Sequence, residues 1–315
     1  MPRPIDPRVR PPLSVALRER FYMLRQGRRM RRIARYRHAD VDARAVVEAV
    51  RRKQLVVTIT AGRSGTTYLA SVLGILPGVS SPHEAPPHYV YAMRHAQHDR
   101  DAARRFLLEY KLPTIAAAPA PRYADVNHLL CKGFLEPLLD LGIIPGAILL
   151  RRAPRAVATS WLTRGQIPGR NRGGLRMHLH PGDPGVLPLP QWGTATDYQL
   201  CFWYALEIER RQRAYGAHLE QLGAAVVDVT ADELHDPQCF LEVASRLSLL
   251  DPAADREALL AAHRAVSEVV HKPNLGPPRA ARPEEEESVW AAIAPTAPDL
   301  RAALAARYAS APAPR

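Results

Sequence analysis

The chain has 315 residues and a formal net charge of +12, with 47% hydrophobic and 23% charged residues. That length suits one large domain or two small ones, and that usage excludes global disorder. No apolar run is long enough to span a bilayer, and no apolar core of a secretory signal follows the basic N-terminus, so a cytoplasmic protein is expected.

Residues 1–53 hold 16 Lys+Arg against 5 Asp+Glu, whereas the rest of the chain is nearly neutral. The positive charge therefore belongs to an N-terminal arm. Leu13, Leu17, Phe21 and Leu24 recur at helical spacing within it. One reading is a helix packed on the domain with a solvated basic face; the other is an arm that touches an anionic membrane surface. Nucleic acid is not an expected partner, because no recognition module accompanies the charge.

Asp42–Arg52 reads as a short helix and Leu55–Thr60 as a buried, β-branched strand. A Gly/Ser turn follows, then a helix over Thr66–Leu76 that Pro77 and Gly78 end. Further strands are expected at His128–Cys131, Ala147–Leu150 and Ala224–Val229. Helices are expected around Asp99–Tyr110, Leu135–Leu141, Pro154–Thr163 and Thr196–Leu222. This alternation predicts an α/β fold with a central, mostly parallel sheet flanked by helices. Arg164–Trp192 is rich in Gly, Pro, Arg and His without periodicity and reads as a long loop, with His178 and His180 as a solvated pair. The organisation is an arm at 1–53, a domain at 54–275 and a Pro/Glu-rich extension at 276–315. Cys131, Cys201 and Cys239 are widely spaced, without a CxxC, and read as buried thiols.

The strand–turn–helix at 55–76 carries Gly62-Arg63-Ser64-Gly65-Thr66-Thr67. Glycines let backbone N–H groups converge on an anion, the helix N-terminus adds positive potential, and Arg63 and the hydroxyls add donors. The P-loop of ATPases is not matched, since Thr66 stands where its lysine would be. After the Ala147–Leu150 strand come Arg152 and Pro154, then Ser160 two turns into a helix; Arg152 and Ser160 could grip one phosphate.

Together, Arg63–Thr67 resembles the 5′-phosphosulfate loop of sulfotransferases, and Arg152–Ser160 resembles their 3′-phosphate motif. The resemblance covers residues 54–275 and is nearer the tyrosylprotein and carbohydrate enzymes than the cytosolic ones. It implies a P-loop-like three-layer fold and 3′-phosphoadenosine 5′-phosphosulfate (PAPS) as co-substrate, with no metal. Leu130-Cys131-Lys132 is similar to the strand that brings a lysine to the leaving group, though a surface lysine is the plain alternative. Lys is scarce here, only Lys53, Lys111, Lys132 and Lys272, which favours a purpose for each. In Ser81-Pro82-His83-Glu84, Glu84 matches the family's base and His83 is the alternative. Ser267 and Lys272 lie in a segment similar to the one that closes over the nucleotide. The implied activity is sulfuryl transfer to a hydroxyl of a small molecule or glycoconjugate. A P-loop-like kinase and a non-catalytic nucleotide-binding protein are the alternatives.

Overall fold

A computed structural model describes residues 13–38, 42–269 and 279–309. The chain divides into two compact units. One comprises residues 21–152 and 211–274; the other comprises residues 1–20, 153–210 and 275–315.

Among the described residues the first unit is built on five strands, β1 (Gln54–Ile59), β2 (Val79–Ser80), β3 (Arg122–Asp125), β4 (Gly146–Arg151) and β5 (Val226–Thr230). They form one sheet in the order β2-β3-β1-β4-β5, every pair parallel. Parallel strands need crossovers and are buried on both faces, which is why β1 and β4 read as unbroken apolar runs. Alternate residues serve opposite faces. Val56, Ile148, Leu150, Val227 and Val229 pack with the helices Thr66–Leu73, Pro237–Arg246 and Arg256–Ser267 in one core. Leu149 and Val226 turn to the other face, where Gly216 of the helix Asp197–Gln221 sits so close that a Cβ there would lie 2.9 Å from Leu149 Cδ1.

Strand order reverses about β1: the chain leaves it towards β2 and β3, then crosses back to β4. In such sheets the crevice at the carboxyl ends of the strands is where ligands bind. Buried Gln212 marks that edge, donating from Nε2 to the carbonyls of Ile59 (2.7 Å) and Leu150 (3.1 Å), where β1 and β4 part.

The expected parallel α/β sheet is present, but one strand is displaced. His128–Cys131 is a turn, and the strand is Arg122–Asp125. Asn127 makes the difference: its Oδ1 accepts from the N–H groups of Leu129 and Leu130, both at 2.9 Å, and bends the chain out of the sheet. The short strand β2 was not expected at all.

In the second unit, the stretch 164–192 departs from a solvated loop. His178 and His180 are both fully buried. The His178 ring lies 4.3 Å from that of Trp161 and 4.5 Å from that of Tyr204. His180 stacks on Trp192 at 5.4 Å, with its Nε2 3.3 Å from the Asp183 carboxylate. Rings and short local bonds supply an interior that periodicity does not announce.

Candidate functional site

The loop after β1 has three residues in the left-handed region, Gly62 (φ 74°), Arg63 (φ 59°) and Gly65 (φ 89°). Such a run turns successive N–H groups toward one point, an anion-binding concavity. Two of the three positions need glycine; Arg63 adopts it at a steric cost. At Gly65, which precedes the helix Thr66–Leu73, a Cβ would stand 2.5 Å from Ala231 Cβ, so backbone conformation and space both require glycine. Ser64 is buried and donates to the Gly62 carbonyl at 3.2 Å. Arg152, one residue beyond β4, donates to the Arg63 carbonyl at 2.5 Å and holds the loop from the neighbouring strand. Arg151 is committed elsewhere, to both carboxylate oxygens of Asp228 at 2.7 Å.

Beyond that helix, His83 pairs with Val126 as an isolated parallel bridge and the Glu84 N–H donates to the Val126 carbonyl at 2.9 Å. The chain is thus stitched to the end of β3. Glu84 itself has φ 48°, a strained conformation for a non-glycine residue and one that functional sites collect. His83 Nε2 meets Thr66 Oγ1 at 2.9 Å and lies 3.9 Å from Glu84 Oε1.

Lys132 comes from the turn after β3 and is fully buried. The Gln97 side chain donates to its carbonyl at 2.6 Å. Its Nζ lies 2.9 Å from His128 Nδ1, and His128 Nε2 lies 3.6 Å from Glu84 Oε1. Glu84, His128 and Lys132 therefore form one line. Burial is the largest influence on Lys132 and lowers its pKa to about 7; Cys131 and Glu84 oppose that, and Arg211 and Arg94 add to it. A lysine so placed exchanges a proton near neutral pH.

The structure thus brings Gly62, Arg63, Ser64, Gly65, Thr66 and Arg152 together, and joins His83, Glu84 and Lys132 to that loop through Thr66 and His128. Thr67 is in the first turn of the helix, its carbonyl accepting from Ser71 Oγ at 3.0 Å. Ser267 meets the Tyr68 hydroxyl at 2.8 Å, and the Tyr68 ring stacks on His235 at 4.2 Å, which ties Ser267 to the loop helix. Ser160 is half-buried on the helix Pro154–Thr163 of the other unit. Lys272 lies outside the described residues.

The sequence pattern puts His128 inside a strand and gives it no role, whereas the structure sets it on a turn beside Lys132. The available signal was Asn127: Asn starting a turn would have set His128 and Lys132 on one loop, four residues apart. Lysine scarcity proved a weaker guide. Lys53 donates to the carbonyls of Ala118 and Ala120 (2.6 and 2.8 Å), and buried Lys111 pairs with Asp125 at 3.0 Å. Lysine is kept here where a compact, multiply donating cation reaches buried acceptors, in structural places as well as in the site.

No protein-family model matches the chain, and neither a curated protein nor a solved structure matches it.

Proposed function

We propose that the chain is a sulfotransferase that moves a sulfuryl group from PAPS to an acceptor hydroxyl. The observation that carries this reading is the line Glu84–His128–Lys132 set beside a left-handed loop at the carboxyl end of β1. Sulfuryl transfer resembles phosphoryl transfer: the group passes in line through a loose transition state, and positioning and charge supply most of the catalysis. The N–H groups of residues 62–66 and the Arg63 side chain hold the 5′-phosphosulfate. Arg152 fixes the loop and reads the 3′-phosphate. The Lys132 ammonium stabilises charge gathering on the bridging oxygen as the S–O bond breaks. Glu84 takes the acceptor's proton as the new S–O bond forms, and the products are the sulfate ester and adenosine 3′,5′-bisphosphate. His128 holds Lys132 on one side and faces Glu84 on the other.

The test has two parts. Calorimetry should show adenosine 3′,5′-bisphosphate binding without added Mg²⁺ and more tightly than 5′-AMP. Radiolabelled sulfate should pass from PAPS to members of a library of glycoconjugates and polar small-molecule alcohols. Equal affinities for the two nucleotides would remove the 3′-phosphate assignment. Transfer of the γ-phosphate of ATP instead would make the protein a kinase.

A further inference from the structure

The helix Leu13–Met30 wears its apolar stripe on the outside. Leu13 is 82% exposed, Leu17 62%, Phe21 55% and Leu24 75%. At about 100° per residue the four fall within an arc of roughly 80°. What the fold holds lies elsewhere on the helix: Tyr22 is buried, the Glu19 carboxylate lies 3.5 Å from His180 Nε2, and Arg18 donates to the Arg170 carbonyl. An ordinary surface helix does the reverse, burying apolar residues and exposing charge. The helix is packed on the fold, but through this face and not through the stripe.

The charge around the stripe identifies what covers it. Residues 13–36 contain eight arginines and one glutamate, and Arg20, Arg31 and Arg35 are exposed. A second copy of this chain would cover the leucines but set arginines against arginines. A nucleic acid would satisfy the arginines but offer the leucines no apolar phase. An anionic bilayer offers both, phosphates at the surface and acyl chains beneath. Among the described residues no helix is long and apolar enough to cross a membrane, so the fit is along the interface.

We propose that the helix Leu13–Met30 docks the protein on an anionic lipid bilayer, lying in the interface with Leu13, Leu17, Phe21 and Leu24 inserted and the arginines at the phosphates. This rests on the helix alone and stands apart from the reading of the nucleotide loop.

The full chain should cosediment with phosphatidylglycerol-rich vesicles at low salt and bind phosphatidylcholine vesicles far more weakly. Leu17→Gln/Leu24→Gln preserves every charge and alters only exposed positions, so its thermal midpoint should be unchanged. It should bind the anionic vesicles about 100-fold more weakly, as loss of two inserted leucines at roughly 1.5 kcal/mol each requires. Arg20→Gln/Arg31→Gln should weaken binding about thirtyfold, at about 1 kcal/mol per arginine. Three results overturn the proposal: no vesicle binding at low salt, wild-type binding by the leucine variant, or a lipid-free dimer that the leucine variant abolishes. The last would make a second copy the occupant.

Discussion

The 2.9 Å contact between Lys132 Nζ and His128 Nδ1 decides which His128 nitrogen carries the proton whenever Lys132 is charged. An ammonium can only donate, so when Lys132 is charged Nδ1 must accept and the imidazole proton sits on Nε2. That nitrogen faces Glu84 Oε1 at 3.6 Å. His128 thus stands between the lysine and the carboxylate, hydrogen-bonded to Lys132 and at ion-pair distance from Glu84.

Lys132 should titrate near pH 7 rather than in the ordinary lysine range, because burial disfavours its charged form. With four lysines in the chain, the ¹³Cε spectrum has four signals. One should show a midpoint about 7 and vanish in Lys132→Ala. If all four titrate at ordinary lysine values, the buried-cation account fails. The sign for stability follows. Between about 7 and the ordinary lysine value the unfolded state binds the proton that the folded state has lost, so stability rises with pH across that window. Below pH 7 the full cost of the buried charge is present. Lys132→Met should therefore flatten this slope and raise the thermal midpoint at pH 7 by roughly a few degrees. The same variant should lose turnover while keeping nucleotide affinity within a few-fold.

The proposed function makes His128 a positioning residue, and its two nitrogens can be tested apart. His128→Asn keeps an acceptor near the place of Nδ1 but removes the group facing Glu84. His128→Gln keeps a donor toward Glu84 but loses the contact to Lys132. The Lys132 signal should titrate close to its wild-type midpoint in His128→Asn and lower in His128→Gln and in His128→Leu, where the ammonium has lost its acceptor. Equal midpoints in all three would show that His128 only fills space.

The sheet, the loop and the helix after it were legible in the sequence because they are local: a β-branched run, then glycines, then helical periodicity. The strand Arg122–Asp125 was not, since Arg122 and Asp125 dilute its apolar signal while the more hydrophobic Leu129-Leu130-Cys131 follows Asn127 into a turn. The positions of Gly62 to Thr67 between strand and helix were legible for the same reason. His128 and the buried pair His178 and His180 were not, because what buries them comes from tertiary packing around loops that carry no period. The outward stripe of Leu13–Met30 could be seen as a stripe, but its facing depended on packing.

Gly65→Ala should disable the loop. The new Cβ meets Ala231 Cβ at 2.5 Å, and φ 89° is strained for any residue with a side chain. A loss of about 1–3 kcal/mol in stability and of most nucleotide affinity is expected. Adding Ala231→Gly relieves the collision but not the backbone strain, so stability should recover only in part. Full recovery of both would show that the left-handed conformation is dispensable.

Glu84 and His83 stand next to each other and meet different partners. His83 holds Thr66 Oγ1 at 2.9 Å, whereas Glu84 faces His128 and through it Lys132. His83→Ala should therefore loosen the loop and weaken adenosine 3′,5′-bisphosphate binding by a few-fold, with a smaller effect on turnover at saturation. Glu84→Gln preserves shape and should leave that binding nearly unchanged, because the proposed phosphate contacts come from other residues. It should lower kcat roughly 10²–10⁴-fold, the range for loss of a general base. The split between KM and kcat decides the matter. Should Glu84→Gln turn over normally while His83→Ala does not, the acceptor's proton goes to the imidazole, and Glu84 serves only to hold His128.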